Sequence, residues 1–438
     1  MLLSSAIRSD PQRTVLITDC GPISCADLDA RADQILQHAD FRSASNCLVH
    51  SSQPADVVTA LLICERAQRP LYIAHSYLPS DHLEAVIREQ GIDLVLGSGL
   101  NCRRVAGPPT SHFHGFQVCL MTSGTTGLPK IARHSLKALT GRIRTHSERR
   151  EPSRWLLTYP ASSFAGLQVV LTAVLSGDTL ACPEDHSIKT LVRCAGNVGV
   201  THISGTPTFW RGVLLALGGT SLPGLRQITI GGEVVDQTTL DRLRVRFPEA
   251  RITHIYASTE AGAVFAVSDG RAGFPSDWLR APFDDVELDI REGLLWVRTP
   301  RRMLGYVSTH QAIGDAGTWL CTGDRIRVES DRTYFTGRSD QIINVGGSKV
   351  WPDDVETVIR AVQGVVDCRV SGVASPISGK VLVAEVVIAP EMAADGIRRT
   401  IISQCRAKLA SFQVPRVIRT VPEITLAPSG KKQTEGGL

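Results

Sequence analysis

The first half of the chain alternates between helical and extended patterns, and this alternation restricts its fold more than any other feature. Residues 24–38 (SCADLDARADQILQH) carry apolar side chains at helical spacing. Residues 55–75 (ADVVTALLICERAQRPLYIAH) predict a buried helix followed by a short apolar strand, and residues 82–97 (HLEAVIREQGIDLVLG) repeat that order. Strands that are connected through helices run parallel, and the helices cover both faces of the sheet. The pattern therefore predicts an α/β fold built on a largely parallel sheet.

Two changes in the sequence pattern indicate further structural units later in the chain. From about residue 263, short alternating runs such as VELDI, GLLWVRT and TYFTGR are separated by Gly and Asp, which predicts antiparallel strands in a small β-barrel. Near residue 340, the stretches DDVETVIRAVQGV and KVLVAEVVIA predict a small α+β domain. Because single cores stop growing at about 250–300 residues, a chain of 438 residues is expected to divide into at least two domains.

The composition argues against several classes of protein. A net charge of +4 over 438 residues does not indicate a nucleic-acid or anionic-membrane partner. The 11 cysteines contain no CxxC pair, which disfavours a disulfide framework or a zinc site and favours a reducing compartment. The N-terminus has no basic region before its apolar patch, and the apolar stretch GLQVVLTAVLSG is shorter than a membrane span of about 20 residues. We therefore expect a cytoplasmic protein.

The stretch MTSGTTGLPKIARHS, residues 121–135, is a candidate anion-binding loop. Gly124 and Gly127 permit positive φ and a close approach of backbone N–H groups to an anion. Ser135 is placed to cap a following helix. The sequence lacks the Gly-Lys-Ser/Thr of a Walker A loop, which disfavours a GTPase-type site. An ordinary surface loop is the alternative. Hydroxyl donors and a positive charge come from Ser123, Thr125, Thr126 and Lys130.

Three further loops carry side chains that suit a nucleotide. Gly231 and Gly232 leave room for a flat ring, and the stretch IYASTE offers an aromatic face, a hydroxyl and a carboxylate. A carboxylate beside a phosphate site can hold Mg²⁺, and the carboxylate of Asp324 suits a ribose diol. Taken singly, Tyr256, Glu260 and Asp324 also fit a core aromatic, a solvated charge and a turn residue.

The order of these segments resembles a known family. TSGTTGLPK, GGE, YASTE, TGD, GRSDQIINVGGSKV and PSGKK follow one another as in the adenylate-forming superfamily of acyl- and aryl-CoA synthetases, peptide-synthetase adenylation domains and firefly luciferase. The likeness covers nearly the whole chain. It implies an α/β N-terminal domain, residues 1–339, with two α/β subdomains and a small antiparallel β-barrel. A small mobile α+β C-terminal domain, residues 340–438, is expected to follow.

The resemblance implies a role for each matching residue. Thr259 is expected at the α-phosphate of ATP and Glu260 at Mg²⁺. Asp324 and Arg338 match the ribose site. The adenine pocket is expected to involve Gly232, Glu233 and Tyr256. The phosphate loop corresponds to Thr122, Ser123, Gly124, Thr125, Thr126, Gly127 and Lys130.

The end of the chain matches the family's mobile region. Lys431, which follows Ser-Gly, corresponds to a lysine that neutralises charge shared by the carboxylate and the α-phosphate. With Lys130, Thr259 and Glu260 it completes the predicted catalytic set. Asp340 matches the hinge of the small domain. The thiol tunnel is expected to involve Gly346, Gly347 and Lys349.

The predicted acid pocket departs from two patterns of the family. Ser163 stands where many CoA ligases carry a histidine, and the aspartate with which amino-acid-activating domains pair the substrate ammonium is absent from YPASSFAGL. The pocket is therefore expected to take an acid without an α-amino group. Its predicted residues are Ser163, Phe164, His202, Thr206 and Pro207.

These assignments predict ATP-dependent activation of a carboxylic acid to an acyl-adenylate, followed by transfer to a thiol. Coenzyme A is the favoured acceptor because no carrier domain is recognised in the chain, and ATP and Mg²⁺ are the other expected cofactors. One alternative is a freestanding adenylation enzyme that loads a separate acyl or peptidyl carrier protein. Another is a degenerate, non-catalytic adenylate-binding protein. The sequence leaves monomer and homodimer open.

Overall fold

The computed structural model describes most of the chain. The described residues are 1–105, 115–122, 129–143, 151–218, 222–307, 317–375, 379–390, 392, 394–427 and 432. The α-helices within them are α1 (Leu2–Arg8), α2 (Cys25–Gln37), α3 (Ala39–Ser43), α4 (Pro54–Ala67), α5 (Ser80–Glu89), α6 (Leu136–Thr140), α7 (Phe164–Leu175), α8 (Ile188–Val198), α9 (Pro207–Leu217), α10 (Gln237–Arg246), α11 (Pro352–Arg360) and α12 (Ala394–Lys408). None of these helices is long and apolar enough to cross a membrane.

The strands fall into five sheets. The strands of the first half are β1 (Thr14–Thr18), β2 (Gly21–Ser24), β3 (Cys47–His50), β4 (Leu71–Ala74), β5 (Leu94–Leu96), β6 (Cys102–Arg104), β7 (Val118–Thr122), β8 (Lys130–His134), β9 (Arg154–Leu156), β10 (Thr179–Cys182), β11 (His202–Gly205) and β12 (Gln227–Gly231). Those of the second half are β13 (Arg251–Ser258), β14 (Gly262–Val267), β15 (Phe274–Pro275), β16 (Glu287–Arg291), β17 (Leu294–Arg298), β18 (Gly305–Tyr306), β19 (Leu320–Glu329), β20 (Arg332–Arg338), β21 (Ile343–Val345), β22 (Ser348–Val350), β23 (Val365–Ser375), β24 (Gly379–Ile388) and β25 (Val417–Thr420).

Side-chain caps begin many of the helices. The hydroxyl of Ser24 accepts a hydrogen bond from the backbone N–H of Asp27, and the carboxylate of Asp27 accepts one from the backbone N–H of Ser24, so α2 begins with a capping box. Such caps satisfy N–H groups that have no partner within the helix, and they explain why these helices begin where they do. The residues whose side chains cap α2, α6, α7, α8, α9 and α10 are Ser24, Ser135, Ser163, Ser187, Thr206 and Asp236.

Two mixed sheets form the α/β part of the large domain. The seven-stranded sheet has the order β18-β8-β7-β4-β3-β5-β6, and its central strands β7, β4, β3 and β5 are parallel. The eight-stranded sheet has the order β14-β13-β12-β11-β9-β10-β1-β2 and is parallel from β13 to β1. One apolar core contains residues of both sheets together with eight residues of α4, a helix that is buried from Pro54 to Glu65. This arrangement confirms the predicted pair of α/β subdomains.

Antiparallel strands form the third unit of the large domain. A five-stranded sheet has the order β15-β20-β19-β17-β16. Its core includes the rings of Phe265 and Phe274, which lie 5.0 Å apart between centroids. The predicted antiparallel unit is therefore present in the described residues as an open five-stranded sheet.

The small domain follows β20 and has its own core. Strands β23, β24 and β25 form one sheet, β21 and β22 form a hairpin, and α11 and α12 pack with them around a separate apolar cluster. This is the predicted α+β architecture. The boundary at residues 339 and 340 remains a prediction.

Candidate active site

The two ends of the candidate phosphate loop lie side by side. Strands β7 and β8 are antiparallel, with Thr122 opposite Lys130, and the hydroxyl of Thr122 donates a hydrogen bond to the carbonyl of Lys130 at 3.3 Å. Ser135 caps α6 as expected, since its hydroxyl accepts from the backbone N–H of Ala138 at 3.1 Å. The loop residues themselves lie outside the described residues, and their roles stay predictions. They are Ser123, Gly124, Thr125, Thr126 and Gly127.

Tyr306 connects two of the predicted catalytic residues. It lies on β18, which pairs with β8, the strand that begins at Lys130. Its hydroxyl donates a hydrogen bond to Oε1 of Glu260 at 2.7 Å, and the ammonium of Lys130 lies 5.7 Å from the centre of its ring. Burial and the charge of Glu260 both raise the pKa of Tyr306, so the phenol keeps its proton at neutral pH. The sequence interpretation missed Tyr306, and only the pairing of β18 with β8 reveals it.

A tight turn places Glu260 and Thr259 after β13. The backbone N–H of Ala261 donates to the hydroxyl of Ser258 at 3.0 Å, and the backbone N–H of Met303 donates to the carbonyl of Glu260 at 2.9 Å. Gly262 has φ +73°, and a Cβ there would lie 2.3 Å from the carbonyl oxygen of Arg301, so only glycine fits. The backbone around Glu260 is therefore fixed on both sides.

A second group of predicted residues converges around Asp324. The hydroxyl of Tyr256 donates to Oδ2 of Asp324, and the guanidinium of Arg338 lies 3.3 Å from Oδ1. Asp324 and Arg338 are partners in the β19–β20 ladder, which explains why the two come together. Burial and the charge of Asp324 raise the pKa of Tyr256 well above its usual value. The predicted ribose residues thus share one hydrogen-bonded group with a predicted adenine residue.

Two phenylalanine rings lie beside the ring of Tyr256. Its centroid lies 5.2 Å from that of Phe265 and 4.8 Å from that of Phe335, while the two phenyl rings are only 6.5 Å from each other. Rings on opposite faces of Tyr256 would lie considerably farther apart. These two rings therefore do not cover both faces of Tyr256, and stacking of a purine on it is sterically consistent with them.

Arg338 also contacts the predicted hinge. Its Nε lies 2.9 Å and its Nη2 lies 3.1 Å from the two carboxylate oxygens of Asp340. This bidentate pair lowers the pKa of Asp340 and raises the pKa of Arg338. The charge of Glu260 also raises the pKa of Arg338, and the charge of Arg338 opposes the raised pKa of Tyr306, so these three side chains lie within range of each other's charges.

Glu233 contacts two separate parts of the chain. Its Oε2 accepts hydrogen bonds from the backbone N–H of Thr208 at 3.1 Å and from the hydroxyl of Thr208 at 2.7 Å. Its Oε1 accepts from the backbone N–H of Lys432 at 2.8 Å. Gly232, beside it, has φ +84°. Glu233 thus links the end of β12 to the start of α9 and to the C-terminal tail. Lys431, the predicted catalytic residue that precedes Lys432 in the tail, lies outside the described residues.

The predicted acid-pocket residues do not all lie together. Ser163 caps α7, with its hydroxyl accepting from the N–H of Gly166 at 3.0 Å, and Phe164 begins that helix. Thr206 and Pro207 begin α9 directly after the carboxyl end of β11. His202 lies at the amino end of β11, where its ring is 4.9 Å from that of Trp155. A strand advances about 3.3 Å per residue, so His202 is roughly 10 Å or more from Thr206.

His134 is a buried residue that the sequence interpretation did not select. Its ring lies 5.9 Å from that of Phe164. Burial lowers the pKa of His134 to about 4, although contact with the backbone of Thr259 opposes the shift. The imidazole is therefore neutral at pH 7. Its ring is near Phe164 of the predicted acid pocket and near the backbone of Thr259, the predicted α-phosphate residue.

The predicted thiol-tunnel residues form the β21–β22 hairpin. Gly346 and Gly347 have φ +55° and +86° and connect Val345 to its ladder partner Ser348. Two consecutive positive φ angles match the two-residue turn for which glycine is favoured. Lys349 follows on β22 with an exposed side chain.

The carboxylate of Glu260 fits a Mg²⁺ site of the kind that depends on a substrate. Within the described ranges, no three His, Cys, Asp or Glu side chains are grouped as a metal site. Mg²⁺ is often held by one or two carboxylates together with substrate phosphates. A single carboxylate that Tyr306 orients next to Lys130 is consistent with that mode of binding.

Two family models match the chain. The AMP-binding enzyme model matches residues 114–307, and the AMP-binding enzyme C-terminal domain model matches residues 354–431. Lys130, Glu260 and Tyr306 fall within the first match, and the second match ends at Lys431.

Curated relatives align at low identity. A fatty acid-[acyl-carrier-protein] ligase of Mycobacterium marinum is 27% identical over 71% of this chain and 66% of its own length. A 2-succinylbenzoate-CoA ligase of Listeria innocua is 26% identical over 72% of this chain and 68% of its own length. Alignments to phenyloxazoline synthases of Mycobacterium tuberculosis cover 97% of this chain at 24% identity, and the chain spans 33% of their length.

Solved structures share the fold over nearly the full chain. The o-succinylbenzoate CoA synthetase of Bacillus subtilis, in complex with its acyl-adenylate intermediate, superposes with a TM-score of 0.74 at 20% identity and covers 98% of this chain and 96% of the other. The fold, the two family models and the order of the site residues agree. The chain belongs to the adenylate-forming superfamily of AMP-binding enzymes.

Proposed function

We propose that this protein is an AMP-forming acid-thiol ligase that activates a carboxylic acid with ATP and transfers the acyl group to coenzyme A. One observation carries the proposal. Tyr256, Asp324 and Arg338 form a hydrogen-bonded group suited to a nucleoside, and Arg338 couples that group electrostatically to Glu260 and Tyr306. A nucleoside site next to a carboxylate, a half-buried phenol and a lysine is suited to chemistry on a nucleoside triphosphate.

In the first half-reaction, a carboxylate oxygen of the acid attacks the α-phosphorus of ATP. The bond from that phosphorus to the bridging oxygen breaks, and pyrophosphate leaves with the electron pair. Both reactants are anionic, so catalysis depends mainly on positioning and on neutralisation of charge. Lys130, Thr259 and Lys431 are proposed to contact the phosphates. Glu260 would hold Mg²⁺, which supplies further positive charge there.

In the second half-reaction, a thiolate sulfur attacks the acyl carbon and AMP leaves. Coenzyme A is the proposed thiol, and Gly346, Gly347 and Lys349 are proposed to line its path. Asp340 is proposed as the hinge on which the small domain, residues 340–438, changes position between the two steps.

A carrier protein is the second candidate for the acceptor. The Mycobacterium marinum relative is named as a ligase of fatty acids to an acyl carrier protein. Both acceptors present a phosphopantetheine thiol, so the same first half-reaction serves either one. A cytoplasmic location is proposed with both, and it is consistent with all 11 cysteines being free thiols.

The experiment that tests the proposal is ATP–pyrophosphate exchange over a panel of aryl, aliphatic and α-amino acids. We expect acid-dependent exchange with at least one aryl or aliphatic acid. We expect only background with α-amino acids, because none of the predicted pocket residues Ser163, Phe164, His202, Thr206 and Pro207 is acidic and an unpaired buried ammonium is costly. Adding CoA or a phosphopantetheinylated carrier then identifies the acceptor through release of AMP.

Two results would contradict the proposal. Absence of exchange with every acid, from protein that still binds AMP, would favour the non-catalytic alternative. Exchange with an α-amino acid that exceeds exchange with its des-amino analogue would contradict the predicted acid class and favour loading of a carrier.

A further inference from the structure

A buried group of charged side chains joins the small domain to the large domain. Arg211 lies on α9 and Asp236 caps α10, so both belong to the large domain, and the other members belong to the small domain and its tail. Each of these side chains is at most 13% exposed. The proposed reaction does not use this group. The interdomain cluster, as it is called below, consists of Arg211, Asp236, Glu356, Arg360, Asp367 and Lys432.

Two ion pairs of the cluster cross between the domains in opposite senses. Nε of Arg211 in the large domain lies 2.9 Å from Oδ1 of Asp367 in the small domain. Nε of Arg360 in the small domain lies 3.4 Å from Oδ2 of Asp236 in the large domain. Each domain therefore contributes a cation to one pair and an anion to the other. These contacts exist only in the domain arrangement that brings α9 and α10 against α11 and β23.

Lys432 attaches the C-terminal tail to both domains. Its ammonium lies 2.9 Å from Oε2 of Glu356 and 3.2 Å from Oδ1 of Asp367, and it donates to the carbonyl of Cys368 at 2.6 Å. Its backbone N–H donates to Glu233 of the large domain at 2.8 Å. The side chain is thus held by the small domain and the backbone by the large domain. Glu233 belongs to the loop predicted to border the adenine pocket.

The charges of the cluster balance. Arg211, Arg360 and Lys432 contribute three cations, and Asp236, Glu356 and Asp367 contribute three anions. Burial opposes ionisation, but the neighbouring cations lower the pKa values of all three carboxyls. The carboxylates in turn raise the pKa of Lys432. All six groups are therefore charged at neutral pH.

The cluster can separate without leaving a single unpaired charge on either domain. Arg211 stays with Asp236 in the large domain, at 3.4 Å. Arg360 stays with Glu356 at 2.8 Å, and Lys432 stays with Glu356 and Asp367, in the small domain. A buried charge without a partner is strongly unfavourable, so this division of charge keeps separation of the domains accessible.

We propose that the interdomain cluster is a reversible latch that holds the small domain in the observed arrangement, with Lys432 as the positioning residue that fixes the tail against Glu233. This proposal rests on the proposed function, because Lys431, the predicted catalytic lysine, is the neighbour of Lys432 in that tail. The latch favours the first half-reaction and must open before a rearrangement about Asp340 can serve the second.

The test removes the charge of one crossing pair and follows both half-reactions and the interface itself. Asp367→Asn and Arg211→Gln should each lower ATP–pyrophosphate exchange at least tenfold. Transfer to the thiol from a supplied acyl-adenylate should stay unchanged or become faster. Hydrogen–deuterium exchange of the ligand-free protein should rise in peptides spanning residues 208–213 and 365–370. Arg211→Lys, which keeps the charge, should restore most of the first half-reaction.

The matched control is Arg271→Gln. Arg271 forms a 2.7 Å ion pair with Asp331 inside the large domain, so its removal should affect neither half-reaction and neither peptide. Equal losses of rate in the two half-reactions would overturn the latch. Hydrogen–deuterium exchange that stays unchanged in both peptides would also overturn it. The deuterium measurement needs no acid substrate. A wild-type protein that is inactive with every acid would therefore contradict the proposed function. Hydrogen–deuterium exchange in the two peptides would still test the latch in that case.

Discussion

The hydroxyl of Tyr306 offers the sharpest single-atom test of the site. Tyr306→Phe removes the donor that lies 2.7 Å from Oε1 of Glu260 and keeps the ring that lies 5.7 Å from the ammonium of Lys130. A hydrogen bond to a charged group contributes about 1.5–3 kcal/mol, and each 1.36 kcal/mol corresponds to tenfold in rate. If the bond orients Glu260 for Mg²⁺ in the transition state, kcat/KM for ATP–pyrophosphate exchange should fall by about 10- to 150-fold.

The dependence on Mg²⁺ separates this role from a general loss of packing. Because the pKa of Tyr306 is raised, the phenol is a donor throughout the assay range, and the Mg²⁺ concentration for half-maximal exchange should rise in the variant. Tyr334→Phe is the control, since that ring packs against the core beside the eight-stranded sheet. Exchange and Mg²⁺ dependence within about twofold of the wild type in Tyr306→Phe would refute the reasoning, as would an equal effect in the control.

Three further predictions concern charged groups. Glu260→Gln should raise the Mg²⁺ requirement of exchange more than it weakens binding of AMP, since Mg²⁺ prefers anionic oxygen; an unchanged Mg²⁺ titration would remove Glu260 from the metal site. Lys431→Ala should slow adenylation about 100- to 1000-fold and spare thiol transfer from a supplied acyl-adenylate, and equal damage to both steps would contradict its role. Burial and the charge of Glu356 raise the pKa of Asp353 to about 6, above the value of about 3.9 in an unfolded chain, so its ionised form disfavours folding and stability is lost as pH rises from about 4 to about 6. Asp353→Asn should therefore stabilise the protein by at most about 3 kcal/mol at pH 8 and by about half of that at pH 5, so that its melting temperature rises more at pH 8, and an effect independent of pH would contradict the assignment.

Local patterns were sufficient to predict the elements and their class. The run around Ser24 predicted a helix at residues 24–38, and the structure has α2 there with a capping box. Adjacent residues of β3 show why the short apolar runs are strands: Leu48 belongs to one core and Val49 to another, on opposite faces of one sheet. Burial on both faces leaves no polar alternation, which is typical of parallel strands between helices.

Pairings between distant segments were not accessible from these patterns. Strand β1 pairs with β10, in the register Leu16 to Leu180. Tyr306 reaches Glu260 because β18 adds to the edge of β8 as a two-residue strand. A two-residue strand has no period to recognise, and nothing in the sequence around it indicates a carboxylate partner 46 residues away. The residues that follow strand ends were easier to select, because the carboxyl ends of parallel strands meet at one edge.

The two lysines of the C-terminal GKK sequence show most clearly what could not be predicted from the sequence. The resemblance assigned a role to Lys431 and none to Lys432, and by composition the two residues are equivalent. The structure places the ammonium of Lys432 among Glu356, Asp367 and the carbonyl of Cys368. Lysines are rarely buried unless they are paired, and here the pairing carboxylates come from a helix and a strand that look like ordinary surface elements in the sequence. A tail residue that is held at both its backbone and its ammonium loses most of its conformational freedom, which limits the positions open to the chain on either side of it. Burial of Lys432 is therefore a physical means of limiting the positions open to its neighbour Lys431, which is predicted to be catalytic.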